Sequence, residues 1–249
     1  LATVIGQWCG ALIGLYLVSK KVRQIHVSLR GFRLKRDILG PVFRVGAPAI
    51  VVQSLATFMS LGLNKLFGLH SEVYVAVLGA YFKLQNFLYM VVYGLGNAVV
   101  PIISFNYGAR SRTRVTGTIR AAMFTALVSM CVGMILMLAI PKPLLMLFSL
   151  SPEALAIGVP TMRIVSLSFL PAGASLVISY VFQATGSNSS SLVLALLRQI
   201  VVLLPLAALL LYSNPACTWW AFPVAEGSCL ILAIFLFRRS YRRRIAPLE

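Results

Sequence analysis

Long apolar blocks separated by short polar gaps cross this chain seven times. A helix needs about 20 apolar residues to traverse the hydrocarbon of a bilayer. Windows of that length lie near 1–19, 42–69, 74–103, 116–140, 154–184, 189–212 and 217–237, and several are long enough to tilt or kink. The pattern predicts an all-α membrane protein, a polytopic bundle of about seven transmembrane helices.

Composition agrees: 59% of residues are hydrophobic, mean hydropathy is +0.91, and only 11% are charged, where a soluble domain carries about 25%. A net charge of +17 would suggest nucleic acid as a partner if the basic residues formed one patch on a water-soluble face. They do not. Lys20, Lys21, Arg23, Arg30, Arg33, Lys35, Arg36 and Arg44 fall between the first two windows, and Arg110, Arg112, Arg114 and Arg120 between the third and fourth. Arg198 follows the fifth window, and Arg238, Arg239, Arg242, Arg243 and Arg244 form the tail, so 18 of the 22 Lys and Arg fall on one face. Of the remaining four, Lys65 and Lys83 lie in or at the ends of windows, and Lys142 and Arg163 are left for the other face.

This asymmetry predicts cytoplasmic basic loops meeting anionic membrane lipid, a cytoplasmic C-terminus, residue 1 outside, and no nucleic-acid role. The chain starts on Leu1 and enters its first window at once without a basic leader, so an upstream portion is expected. Cys9, Cys131, Cys217 and Cys229 are dispersed among apolar stretches with no CxxC pair, and His26 and His70 stand apart from them. Neither a disulfide framework nor a metal site is implied.

Glycine and proline punctuate the windows: Gly46, Pro48, Gly62 and Gly68 in the second, Gly79, Gly94, Gly96 and Pro101 in the third. Gly158, Pro160, Pro171 and Gly173 interrupt the fifth, Pro205 the sixth, and Pro223 and Gly227 the seventh. Such breaks are tolerated in lipid mainly where the freed carbonyls face protein or a cavity, so together they suggest kinked, moving helices around a cavity. Membrane helices are richer in both residues, so no single one marks a site.

Gln53, Asn64, Lys65, Lys83, Gln85, Asn86, Asn97, Gln183, Arg198, Gln199 and Glu226 lie in or at the ends of the windows, where each is costly unless it faces other helices or water. Lys83 and Glu226 stand well inside theirs, and their opposite signs make a buried pair possible. Lys65 and Arg198 lie nearer the ends, which favours interfacial placement; the amides serve more often as glue between helices than as ligands. Ser151-Pro152-Glu153 reads as a helix start with cap, first-turn proline and acid. The short segment 141–150 is expected along the interface, and Trp219-Trp220 at the headgroup boundary.

The third window carries a specific signature. GAYFKLQNFLYMVVYGLGNAVVPIISFNYGAR, residues 79–110, resembles the multidrug and toxic compound extrusion (MATE) family, above all in the helix end PII-x-(F/Y)-NYGAR. ATVIGQ at 2–7 is similar to that family's sixth helix, GAPAIVVQ at 46–53 to its seventh, and LFSLSPEALAIG at 147–158 to the link between its ninth and tenth. FQATGSNSSSL at 182–192, LLRQIVVLLPL at 196–206 and WWAFPVAEG at 219–227 resemble the tenth, eleventh and twelfth.

The resemblance implies two six-helix lobes, of which this chain would hold the sixth helix (1–19), a basic cytoplasmic linker (20–41), the C-terminal lobe (42–237) and a basic cytoplasmic tail (238–249). It implies a transporter of the bacterial inner membrane, with the N-terminal lobe of the same protein as partner. Its task would be to export cationic or amphipathic organic compounds in antiport with Na⁺ or H⁺ by rocking between two access states, without cofactor or enzymatic activity. No GxxxxGK[ST] stretch provides for ATP.

Substrate or coupling-ion candidates are Gln53, Asn64, Lys83, Gln85, Gln183 and Glu226; Pro48, Pro101, Asn106, Tyr107, Gly108 and Arg110 are the structural residues of the family motifs. Some members carry acids in the seventh and tenth helices, where this chain offers Gln53 and neutral residues up to Gln183, so coupling is expected in the N-terminal lobe or, failing that, at Glu226. The alternatives are a flippase for lipid-linked precursors, a membrane-embedded enzyme or a structural subunit. The scattered acids Asp37, Glu72, Glu153, Glu226 and Glu249 form no catalytic constellation.

Overall fold

The computed structural model describes residues 2–21 and 36–248. Most of the expected basic linker lies outside the described residues. The chain divides into two compact units, Leu1–Gly46 and Ala47–Glu249. In the first, helix α1 (Ala2–Lys21) is a single apolar rod with exposed side chains, among them Trp8 and Tyr16.

Helix α2 (Arg36–Gly68) leads into the second unit, which continues with α3 (Glu72–Gly108), α4 (Arg112–Ala139) and the short α5 (Pro141–Met146). Then come α6 (Pro152–Ser166), α7 (Phe169–Ala184), α8 (Asn188–Leu196), a π-helical segment (Leu197–Leu203) and α9 (Leu204–Ser213). A 3-10 turn (Pro215–Trp220) opens α10 (Ala221–Ser240), and a π turn (Tyr241–Ile245) ends it. The described residues contain no strand.

Five stretches are long and apolar enough to cross a bilayer: Ile50–Gly68, Glu72–Gly108, Arg112–Ala139, Asn188–Ser213 and Pro215–Ile245. A sixth forms if α6 and α7, which meet at 47°, count as one broken span, and α1 adds the shorter apolar stretch Val4–Val18. The fold is therefore an all-α polytopic bundle.

Local chemistry sets the ends of these helices. Ser71 Oγ accepts from the Val73 N–H (3.2 Å), Ser151 Oγ from Ala154 (3.2 Å) and Asn214 Oδ1 from Ala216 (3.0 Å), each satisfying a donor that the first turn leaves free. Helix α3 runs past the third apolar window because its stop is stereochemical. Arg110 turns left-handed (φ 56), its N–H donates to the Tyr107 carbonyl (3.1 Å), and the Ser111 N–H donates to Asn106 (3.0 Å). That is a Schellman close with arginine where glycine is usual. The end of α7 repeats it with Gly186 (φ 72), whose N–H donates to Gln183 (3.2 Å) while Ser187 donates to Phe182 (2.7 Å).

The fifth window is broken, not continuous. Leu167 and Ser168 donate to carbonyls three residues back, at 3.2 and 3.0 Å, which tightens the last turn of α6. Pro171, in the first turn of α7, has no N–H with which to resume the ladder across the joint.

The outside of the bundle is apolar: Phe87, Phe105, Phe124, Ile231 and Phe235 are all exposed. Inside, small residues let helices approach, as membrane packing requires. A Cβ on Gly173 of α7 would come within 2.7 Å of Met130 of α4, and one on Gly96 of α3 would overlap the ring of Tyr180 on α7. Hydroxyls and a thiol bridge helices: Ser104 Oγ donates to Ala184 O (3.1 Å), Ser191 Oγ to Ser179 O (3.1 Å), and Cys229 Sγ to Leu194 O (3.7 Å).

Both stretches expected at the interface also pack against protein. Trp219 is fully buried, stacked on Phe67 at 4.8 Å and near Tyr74 and Phe222, and only Trp220 is exposed. Segment 141–150 is partly packed inward, with Leu145 buried against Gly158 of α6. In both, apolar surface finds a protein partner as readily as a headgroup.

Candidate functional site: a polar cavity inside the bundle

Two cavities open among α2, α3, α7, α8, the π segment and α10. One has about 320 Å³ and is lined by Ser60, Phe82, Gln85, Asn86, Tyr89, Tyr93, Phe222 and Glu226, among others. The other has about 520 Å³, and its lining includes Tyr180, Gln183, Ser191 and Cys229. Ala56, Asn86, Tyr93, Leu176, Arg198 and Gln199 line both. The cavities are neighbouring compartments with a shared wall.

That wall has a local origin. Pro205 cannot donate to the Val201 carbonyl, and its ring crowds that carbonyl. Upstream, the helix widens to π geometry over Leu197–Leu203 before α9 resumes. A π segment carries an extra residue per turn and is often found at functional sites. Here it carries Arg198 and Gln199, which line both compartments.

Arg198 Nη1 lies 3.7 Å from Glu226 Oε2, with the side chains 20% and 13% exposed. The pair is close enough to attract but beyond hydrogen-bond reach. Glu226 Oε2, Gln199 Oε1 and Tyr89 Oη are buried without a hydrogen-bond partner. Buried polar groups are ordinarily satisfied, so a cluster of unsatisfied ones lining a cavity marks a place where water, an ion or a ligand belongs.

The expected charge partners are therefore corrected. Glu226 faces Arg198, not Lys83, and Arg198 sits inside a span instead of at the interface. Lys83 is exposed, with Nζ 5.7 Å from the centre of the Phe148 ring, and lines neither cavity. Asn64 is also outside them: its Nδ2 donates to Ser60 O (2.8 Å), one turn back on its own helix. Gln85 and Glu226 line the smaller compartment and Gln183 the larger. Gln53 and Pro48 lie in α2, with side chains outside the described residues.

Of the motif residues, Pro101 sits inside α3. Asn106, Tyr107, Gly108 and Arg110 make up the helix end described above, with Asn106 Nδ2 donating to Ile102 O (2.8 Å). Tyr89 and Tyr93 were not among the sequence-based site candidates. Their signal was present: Gln85, Tyr89 and Tyr93 recur every four residues and so share one face of α3.

Fold and cavity define a class: a polytopic helical membrane protein with an ionisable pair and unsatisfied polar groups turned into the bundle. Residues 48–209 match the family model described as MatE, and the chain belongs to that family. Multidrug export protein MepA of Staphylococcus haemolyticus (strain JCSC1435) is 24% identical over 229 residues, a match covering 91% of this chain and 50% of that protein. The chain thus spans about half the length of the curated relatives it matches.

Among solved structures, the MATE multidrug transporter DinF-BH in complex with R6G is similar at TM-score 0.82 and 31% identity, covering 100% of this chain and 56% of that one. A multidrug resistance MATE family transporter of the MOP superfamily in its outward-facing conformation matches at TM-score 0.82 and 20% identity, covering 99% and 55%.

Proposed function

We propose that this chain is the C-terminal lobe, with one preceding helix, of a secondary active multidrug efflux transporter and not of an enzyme. The whole protein exchanges cationic or amphipathic organic compounds for Na⁺ or H⁺, and its N-terminal lobe packs against this one across a central vestibule. The observation that carries this is the Arg198–Glu226 pair with unsatisfied Gln199 and Tyr89 beside it, lining a cavity inside an apolar bundle of MatE sequence. Ionisable groups inside a membrane bundle mark transport pathways far more often than inert structure, and discontinuous helices lining a midplane cavity suit alternating access.

A flippase for anionic lipid-linked precursors would need several cations in the cavity. Among the described lining residues there is one, Arg198. The basic loops and tail support a cytoplasmic C-terminus in a bacterial inner membrane, with anionic lipid around the helix ends.

Full-length protein reconstituted into vesicles should move a fluorescent organic cation when a Na⁺ or H⁺ gradient is imposed, and not without one. Glu226→Gln separates the coupling sites. Transport with unchanged dependence on pH and Na⁺ assigns coupling to the N-terminal lobe, whereas loss of that dependence assigns it to Glu226. Absence of gradient-driven movement would sink the transporter proposal.

A further inference from the structure

Helix α10 ends an apolar stripe in positive charge. Ile231, Phe235, Arg238 and Arg242 follow one another at steps of four, three and four residues, so they share one face of the helix. Ile231 and Phe235 are 73% and 63% exposed, and both arginines beyond them are exposed. Where the stripe turns from apolar to basic, an open groove of about 300 Å³ is lined by Phe237, Arg238, Tyr241 and Arg242. The rings of Phe237 and Tyr241 lie 5.9 Å apart and form its apolar side.

The backbone under the groove is held in place. The Ala246 N–H donates to the Tyr241 carbonyl at 2.8 Å, Ile245 is buried, and Arg244 Nη1 donates to Thr185 O at 2.7 Å. Arg244 is thereby engaged with the bundle, whereas Arg238 and Arg242 line the groove. Residues 227–248 contain no Asp or Glu, and among the described residues neither guanidinium of the groove has a carboxylate partner. Like charges one turn apart repel, and a shared anion relieves both.

The apolar half of the stripe selects among anions. A soluble anion would meet the arginines and leave Ile231 and Phe235 bare, whereas an anionic lipid meets the arginines with its headgroup and the apolar residues with its chains.

We propose that this groove binds one anionic phospholipid. Its phosphate oxygens accept from Arg238 and Arg242, and an acyl chain lies along Phe235 and Ile231. The arginine fork suits phosphate because two parallel hydrogen bonds can form. Basic pockets beside the ends of membrane helices take such headgroups, and the aromatic pair stands at the level where headgroup meets chain. The site requires only that α10 ends at a bilayer surface and does not depend on what the protein transports. It also distinguishes two of the five arginines between Arg238 and Arg244 from the general attraction of basic loops to anionic lipid.

A charge-matched pair of variants tests it. Native mass spectrometry of the full-length protein, titrated with phosphatidylglycerol or phosphatidylcholine, should give about tenfold tighter binding of the first phosphatidylglycerol than of phosphatidylcholine. Arg238→Gln with Arg242→Gln should abolish that preference. Arg239→Gln with Arg243→Gln removes the same charge outside the groove and should leave affinity within about twofold. Arg238→Lys with Arg242→Lys keeps the charge without the fork; it should retain a reduced preference, and it supplies the measurement if the glutamine pair does not fold. The deacylated headgroup, glycerophosphoglycerol, should not displace the lipid at equal concentration.

Equal losses from the two glutamine pairs would reduce the effect to diffuse attraction and overturn the site. Equal affinity for the two lipids would do the same. Displacement by glycerophosphoglycerol at equal concentration would show that the apolar stripe contributes nothing, and would overturn the lipid as occupant.

Discussion

Arg110 holds the end of α3 in a left-handed conformation (φ 56) that L-residues adopt only at a conformational disadvantage of about 1 kcal/mol. Gly108, two residues earlier, has open space around its α-carbon and an ordinary backbone. The glycine of the NYGAR segment is therefore not the residue the turn requires. Arg110→Gly should raise thermal stability by about 0.5–1 kcal/mol, and Gly108→Ala should change it by less than about 0.5 kcal/mol, both read from melting in detergent. Gly186 is the converse: at φ 72, Gly186→Ala should lower stability by about 1 kcal/mol. For the ion pair, Glu226→Leu alone leaves an uncompensated guanidinium and should lose about 2 kcal/mol or more, part of which Arg198→Leu in the same molecule restores. Simple addition of the two losses would show that the charges do not interact.

At the scale of the element, the π segment and the close contact of α3 with α7 decide the site's shape. Pro205→Ala restores a donor for the Val201 carbonyl and should favour a regular helix through Leu197–Leu203. The expected result is a protein that melts no lower yet binds dye more weakly, because Arg198 and Gln199 turn away from the shared wall; unchanged dye affinity would separate the site from the π geometry. Gly96 lets the ring of Tyr180 lie against α3, so Gly96→Val should force the helices apart and destabilise by about 1–3 kcal/mol. Tyr180 lines the larger compartment, and dye binding should fall with stability.

At the scale of the whole molecule, large apolar side chains such as Phe87, Phe124 and Ile231 cover much of the bundle's outside, as lipid requires. One device links distant parts of the second unit. Arg244, in the final π turn, donates from Nη1 to Thr185 O at 2.7 Å, beside the Ser104 bond to Ala184 O at 3.1 Å. Both satisfy carbonyls at the end of α7, a helix that lines both cavities, and Ile245 next to Arg244 is buried. Residues 238–245 are helical, and Arg244 ties them to the end of α7. Arg244→Ala should accelerate amide exchange at residues 185–187 several-fold, equivalent to about 1 kcal/mol of local opening, while amides in the middle of α4 remain unchanged.

Much of this was legible in the chain. The apolar windows fixed the helices, because a segment in lipid must satisfy its own backbone and a helix does so alone. Ser151-Pro152 foretold the start of α6, and Pro171 and Pro205 foretold where regular geometry fails. The inward face of α3 could be read from the spacing of Gln85, Tyr89 and Tyr93.

Pairing could not be read, since which charge meets which depends on how helices rotate and cross, and sequence fixes that only through the sum of many contacts. Lys83 looked more eligible than Arg198 along the chain, yet Lys83 is exposed on α3 while the π segment turns Arg198 to the cavities. The burial of Trp219 was likewise unreadable, because it depends on the aromatic stack that the fold brings to it. The sequence determined the solvent, the helices and their breaks, since these follow from local composition. Tertiary packing alone decided the Arg198–Glu226 cavity, since it depends on distances between residues far apart in the chain.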